Sequence, residues 1–429
     1  MKDFSAMPVA SGVTFLNARA DRFKTSLLVL QIALPLRLGE GRQTAANALL
    51  PYLLHRSCAR FPTPRAMERR LNDLYGARLS AAVSKLGETH LLTLQATAID
   101  DRFALGGETI TCGLLELLLE LLLAPNLHGE AFAADAVELE KRLMLERLES
   151  EIGSKRTYVA RRIEALMCSN EAYGLHPFGE AENIAALTPR DLADAWRGML
   201  KNSVMQFTLV STSDGKDAFA ALQARFASMD RTPSALQTQF IPTAAEQKYV
   251  REEQTLEQAK LMLGFRAGMR DAWDHADAAR VMLDLFGGGP YSKLFLNVRE
   301  KMSLCYYCRA TLHRYKGIVI VASGVDSAKA EEAQTAILAQ LEDIKNGAFE
   351  QADLDTSIRS LCDAIRSAGD TPEGLAGWYD SAVVTQDYAT PEEYCARFSA
   401  VTRGEVIAAA NGMTLDTIYL LDAKKEVDA

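Results

Sequence analysis

Residues 283–324, LDLFGGGPYSKLFLNVREKMSLCYYCRATLHRYKGIVIVASG, carry the reading of this chain. They divide into an apolar helix end, a glycine turn (Gly287, Gly288, Gly289, then Pro290), a short helical run and two β-rich runs. Consecutive glycines followed by proline end a helix and let the backbone approach a neighbouring surface closely. Arg299 and Tyr306 then place a fixed cation and a phenol beside a strand. The planar donors of arginine and the neutral hydroxyl of tyrosine suit the carbonyl oxygens of an extended peptide better than a cofactor.

Working outward, the β-rich part has a weaker copy nearer the N-terminus. Tyr75-Gly-Ala-Arg-Leu-Ser, running through Gly87 into LLTLQATAID, lines up with Tyr306-Tyr-Cys-Arg, running through Gly317 into IVIVASGVD. Both copies continue into an amphipathic helix after Asp100 and Asp326. A repeat spaced by about 230 residues is too long for a solenoid and implies a duplicated domain. In the first half, Val/Ile/Leu-rich 25–38 predicts a strand and 44–55 a helix that includes Pro51. Thr63-Pro64 and Thr188-Pro189 read as helix starts, with threonine as N-cap and proline in the first turn. Residues 77–83 and 90–98 predict a hairpin around Gly87. Residues 101–123, 133–151 and 158–167 predict helices, 176–179 (HPFG) a turn, and 203–212 a strand. The second half repeats this with a strand at 259–266 and a helix at 274–286. The expectation is an α+β protein of two tandem homologous domains, each an antiparallel sheet with helices packed on one face. The boundaries fall at 1–215 and 246–429, with 216–245 as linker.

Composition fits that picture. A length of 429 residues suits two to three domains, and 48% hydrophobic with 24% charged residues is an ordinary globular balance. A net charge of −9 and a pI near 5.4 argue against nucleic acid or an anionic membrane as the main partner. The run GLLELLLELLLAP at 113–125 is too short to span a bilayer, and Glu116 and Glu120 give it a wet stripe, so no membrane insertion is expected. The N-terminal residues have no apolar segment of the signal-peptide kind, and a cytoplasmic location is expected. Seven scattered cysteines fit reduced thiols rather than a disulfide framework. Cys305 and Cys308 form a CxxC, but no second CxxC or nearby histidine pair completes a zinc site, and they read as two strand cysteines.

This order of elements, with HPFG and then FGGGPYSKLFLNVREKMSLCYY, resembles the insulinase/pitrilysin-type (inverzincin) zinc peptidases and the mitochondrial processing peptidases. The resemblance covers essentially the whole chain and is most specific over 287–306. Within that clan, FKTSLLVLQIALPL and FPTPRAMERRLNDLYGA are most similar to the YfmF-like non-catalytic bacterial members, which are associated with modification of elongation factor P.

Active members of the clan carry H-x-x-E-H on a helix. Histidines at i and i+4 share a helical face and bind one Zn²⁺, and the glutamate beside the second histidine serves the metal-bound water as base. The aligned window here is Pro51-Tyr52-Leu53-Leu54-His55. Only His55 remains, as a relic of the ligand set. Pro51 cannot coordinate, and Leu54 cannot take a proton. The helix that would bring the third ligand matches 140–151, with either Arg147 or its neighbour Glu146 at the ligand position. The zinc site therefore reads as lost, with no catalytic residue and no cofactor assigned.

Arg299 and Tyr306 do keep the family pattern V-R-E-K-x-x-L-x-Y. The resemblance implies that this pair holds substrate carbonyls and stabilises the developing oxyanion. It also implies a division of labour, because some two-chain members put the zinc motif on one polypeptide and this pair on the other. The expected function is a non-catalytic, peptide-gripping subunit of a two-chain metallopeptidase. Its partners would be an extended peptide segment and a homologous H-x-x-E-H chain, or a second copy of itself. Two alternatives stand beside it: an active endopeptidase with a nonstandard zinc site that includes His55, and a peptide-binding scaffold with no catalytic contribution.

Overall fold

The computed structural model describes residues 4–424 and divides into two units, each built on one sheet. The first unit contains the residues up to Ser150, Leu175–Gln237 and Ser367–Tyr388. Its strands are β1 (Phe4–Ala10), β2 (Val13–Arg19), β3 (Thr25–Pro35), β4 (Arg78–Leu86), β5 (Thr89–Ile99) and β6 (Val204–Ser211), in the order β1-β2-β6-β3-β5-β4. The second contains Glu151–Gly174, Thr238–Arg366 and the residues from Ala389 on. Its strands are β7 (Lys248–Gln254), β8 (Ala259–Arg266), β9 (Cys305–His313), β10 (Ile318–Val325) and β11 (Thr414–Ala423), in the order β7-β11-β8-β10-β9. Strand for strand, the second order repeats β2-β6-β3-β5-β4. In each sheet the one parallel pair is the equivalent one, β2 with β6 and β7 with β11. The hairpins β4–β5 and β9–β10 turn at Gly87 (φ 55°) and Gly317 (φ 67°), left-handed positions at which glycine carries no Cβ penalty. The α+β class and the tandem homology are those expected; the structure adds a parallel pair to each sheet.

Five helices build the two cores and the candidate site: α1 (Gly41–Leu54), α2 (Ile110–Leu123), α3 (Ala134–Gly153), α4 (Lys155–Met167) and α5 (Ala276–Gly287). The period-two alternation of β3 sorts its side chains. Leu28, Leu30 and Ile32 enter a core with α1 and α2, while Leu27 and Val29 pack against Leu375, Ala376 and Tyr379. Thus a segment from late in the chain covers the second face of the first sheet. In the second unit α4 does the corresponding job, with Val159, Ile163 and Met167 packed on Met262, Ile318, Ile320 and Tyr419. Gly264 of β8 makes this possible, because a Cβ there would lie 2.1 Å from Met167 Sδ.

The helix starts follow the sequence. Thr63 Oγ1 accepts from Ala66 N at 3.2 Å, and Thr188 forms a capping box with Asp191. The apolar run at 113–125 lies largely in α2, with Glu116 exposed and Glu120 paired to Arg225 at 2.9 Å. No helix among the described residues is long and apolar enough to cross a membrane. Within 216–245, Lys216–Phe226 is a helix that buries Ala218, Leu222 and Phe226 in the first core, and irregular chain follows it.

One buried group in the first unit sets an acid sensitivity. His90 of β5 is fully buried, and neither ring nitrogen makes a normal hydrogen bond. Burial pushes its pKa down to about 4, with the Pro177 carbonyl offsetting only part of that. The unfolded chain therefore binds a proton between the ordinary value of 6.5 and about 4 that the folded chain refuses. Stability is whole above that window and declines as pH falls through it, by about 3 kcal/mol in all. Urea midpoints compared at neutral and mildly acid pH should show this loss, and His90→Phe should flatten it. An unchanged pH dependence in that variant would sink the assignment.

Candidate functional site

The window that corresponds to the zinc motif lies in the last turn of α1, which contains Pro51 despite its missing N–H. The His55 backbone N–H donates to the Pro51 carbonyl at 3.1 Å, and its ring Nδ1–H donates to the Tyr52 carbonyl at 2.7 Å. Burial lowers the His55 pKa, with the Tyr52 carbonyl and Glu140 opposing. Across from it, α3 presents Glu140, Met144 and Arg147 at i, i+4 and i+7, one helical face. Glu140 is buried and ion-paired with Arg56. The Arg147 guanidinium carbon sits 4.1 Å from the centroid of the Tyr52 ring, a cation–π contact. Glu146 is exposed and lies 3.8 Å from Arg142 instead.

This contact decides the register that spacing leaves open: Arg147, not Glu146, faces α1. The Arg56 charge acts on the His55 ring, Arg147 stacks on Tyr52 of the same turn, and the carboxylate of Glu140 is paired with Arg56, a setting that repels a divalent cation. The residues present do not fit Zn²⁺. Among the described residues no group of three or more His, Cys, Asp or Glu could hold a metal ion. Neither the Arg56 pair nor the stacking of Arg147 on Tyr52 has a sequence signature, because both depend on how α3 is rotated against α1.

The second constellation lies wholly in the second unit. Arg299 belongs to a π-helix, Leu294–Lys301, closed by Met302 N donating to Asn297 O at 2.9 Å. Such turns are rare and concentrate at functional sites. Ser303 follows with φ 53°, an uncommon left-handed backbone for a residue with a side chain. The Arg299 guanidinium stacks 4.5 Å over Phe295, and its Nε is 3.6 Å from Glu300, with 39% of the side chain exposed. That ion pair is long and solvated, so the donors stay accessible. Tyr306 lies in β9, at the edge of its sheet. The pairing shifts there, from Cys305 opposite Val325 to Tyr307 opposite Gly324, and leaves Tyr306 as the bulged residue. It is 55% exposed, and its hydroxyl is 3.4 Å from Asp326 Oδ1. The charge of Arg299 is felt by the Cys305 thiol, one residue from Tyr306. Leu296, Met302 and Tyr306 are three of the nine exposed large hydrophobic side chains among the described residues, all within 296–306. The polar pair is visible in the sequence motif; this apolar rim is not, because isolated apolar residues in a helical run read as core.

The glycine turn seats this region. Gly287 is the last residue of α5, and a Cβ there would lie 2.8 Å from the Ala310 backbone nitrogen on β9. Gly288 and Gly289 follow, hemmed in as closely by Asp284 and Tyr291. Tyr291 donates to Asp284 at 2.7 Å across the turn. Gly287→Ala should push α5 off the edge strand and cost about 1–3 kcal/mol. Its urea midpoint measures this, and a wild-type midpoint would show that the approach is dispensable.

Comparison with known proteins gives a consistent result. A family model described as "Peptidase M16 inactive domain" matches residues 186–361. A Bacillus subtilis protein named "Probable inactive metalloprotease YmfF" is 29% identical over 410 residues, covering 96% of each chain. A conserved protein from Enterococcus faecalis V583, known as a crystal structure, superposes with a TM-score of 0.87 at 25% identity over all of both chains. A peptidase M16 inactive domain from Pseudomonas fluorescens shares the fold, with a TM-score of 0.79 at 18% identity over 99% of each. With its zinc motif replaced and the duplicated fold intact, the chain has the M16 peptidase fold and is similar to proteins described as inactive members of that family.

Proposed function

We propose that the protein is the non-catalytic, peptide-gripping subunit of a two-chain metallopeptidase. One contrast carries the reading: Arg147 stacks on Tyr52 where the metal site would be, while Arg299 and Tyr306 stay exposed, the tyrosine on a bulged edge strand. An edge strand offers main-chain groups to an extended segment, and the apolar rim at Leu296 and Met302 offers contact for its side chains. The catalytic zinc would come from a homologous chain with an intact H-x-x-E-H. A cytoplasmic setting goes with this reading. Elongation factor P, whose modification is associated with the resembled branch, is the first client to offer.

The test combines metal analysis with a peptidase assay on the purified chain, alone and mixed with such a homologue. The chain alone should hold no stoichiometric zinc and turn over no peptide, and mixing should raise turnover above that of the homologue alone. Tight zinc and turnover by the single chain would overturn the proposal in favour of a nonstandard metal site.

A further inference from the structure

We propose that Cys305 and Cys308 are a redox-modification site, closing an intrastrand disulfide by exchange with a low-molecular-weight disulfide such as oxidised glutathione. In a regular strand, residues i and i+3 point to opposite faces. The extra residue of the bulge at Tyr306 returns Cys308 to the face of Cys305. The two thiols are close enough to perturb one another, Cys305 downward and Cys308 upward. Ser323 lies directly opposite Cys308 in the register, is fully buried, and its hydroxyl donates to the Tyr307 carbonyl at 3.0 Å.

The two sulfurs are not equivalent. Cys308 is 7% exposed, whereas Cys305 is half-buried and open to a small reagent. The neighbouring Cys308 brings the Cys305 thiol down to about 7 against the effect of burial, with Ser323 and the charge of Arg299 assisting. Cys308 is pushed well up by Cys305 and by burial. That division suits attack by Cys305 and resolution by Cys308. The Cys305 thiolate attacks one sulfur of the reagent and a thiolate leaves, giving a mixed disulfide on Cys305. Cys308 then loses its proton and its sulfur attacks that of Cys305, expelling the second thiolate. Two electrons pass from the protein to the reagent, and the two protons go to the leaving thiolates.

The same unit supplies a control. Cys362 and Cys395, on the helices Gln351–Ser367 and Pro391–Ser399, are also in mutual contact, each sulfur 3.9 Å from the other residue's carbonyl. Burial pushes the Cys362 thiol up to about 11, so Cys362 is not an attacking thiolate near neutral pH.

The experiment exposes the full-length reduced protein to oxidised glutathione at neutral pH and follows intact mass and mapped peptides. Wild type should lose two hydrogens without retaining glutathione, with the bond mapped between 305 and 308. Cys308→Ser should stop at a single glutathione adduct on Cys305, Cys305→Ser should not react there, and Cys362→Ser should behave as wild type. Retention of all seven thiols, a glutathione adduct that never closes in wild type, or loss of two hydrogens in Cys305→Ser at the wild-type rate would overturn the proposal. The wild-type outcome decides by itself where a variant fails to fold.

Discussion

Replacing Glu171 by alanine is expected to destabilise the protein by about 3–5 kcal/mol. Its carboxylate holds Arg266 with two bonds, 2.8 and 3.1 Å, and also accepts from Lys316. Arg266 in turn donates to Asp416 at 2.7 Å and to the Met167 carbonyl at 2.9 Å. All four charged residues are at most 5% exposed, so the cluster is a neutral quartet inside a low-dielectric core. Removing one anion leaves Arg266 and Lys316 facing a single carboxylate, away from bulk solvent. The same residue closes the segment Glu151–Gly174 onto the second sheet, so the loss also frees α4 from β8. Urea unfolding measures the effect, with Lys316→Met as partner in a double-mutant cycle. Removing both charges should cost less than the sum of the single losses. A change below about 1 kcal/mol for Glu171→Ala would mean that the quartet is not a structural centre.

The sign of its pH dependence comes from the same contacts. Burial alone would raise the Glu171 pKa, but the bonds from Arg266 and Lys316 outweigh it and lower the folded value. Its contribution is therefore whole above the ordinary 4.5 and is lost as pH falls through the depressed folded value. His90 acts earlier on the same descent, from 6.5 downward. Acid unfolding should then be drawn out in two stages, with the first stage absent in His90→Phe.

Much of the fold is legible in residue patterns. The helix starts at Thr63 and Thr188, the hairpins turning at Gly87 and Gly317, and the strand 259–266 come from local capping, glycine placement and a short apolar run. Strand β7, KYVREEQ, has no apolar alternation because only part of one face is covered, so its residues do not announce a strand. The β1–β2 hairpin escapes notice for a related reason: β1 lies at the edge and is mostly half-exposed. The sheet that α4 packs on is a long-range choice, made by Gly264 and by the ions around Glu171, and local spacing carries no trace of it. The candidate site divides likewise. Pro51 and Leu54 announce a lost zinc motif by identity alone, whereas the direction of Arg147 depends on the rotation of α3. The CxxC reads as two strand cysteines, and both are on a strand; only the bulge makes them neighbours.

Arg299→Ala should lower kcat of the reconstituted two-chain enzyme by about 10²–10³-fold, the range for removing one oxyanion donor. Tyr306→Phe, which deletes only the hydroxyl, should lower it in the same direction and by no more. The reasoning is differential. Charge grows on the carbonyl oxygen only as the bond is attacked, so a donor aimed there acts on kcat more than on KM. If the pair merely grips the peptide, KM should rise with kcat unchanged. If the chain is only a scaffold, neither constant should move. Arg299→Lys separates charge from geometry, because lysine keeps the cation but loses the planar fork. Partial activity in that variant would point to charge, and activity as low as in Arg299→Ala to the fork. Tyr306→Phe leaves the bulge and the Cys305–Cys308 contact in place, so its folding is not in question. Turnover equal to wild type in both Arg299→Ala and Tyr306→Phe would remove the pair from catalysis and leave the edge strand β9 as a binding surface alone.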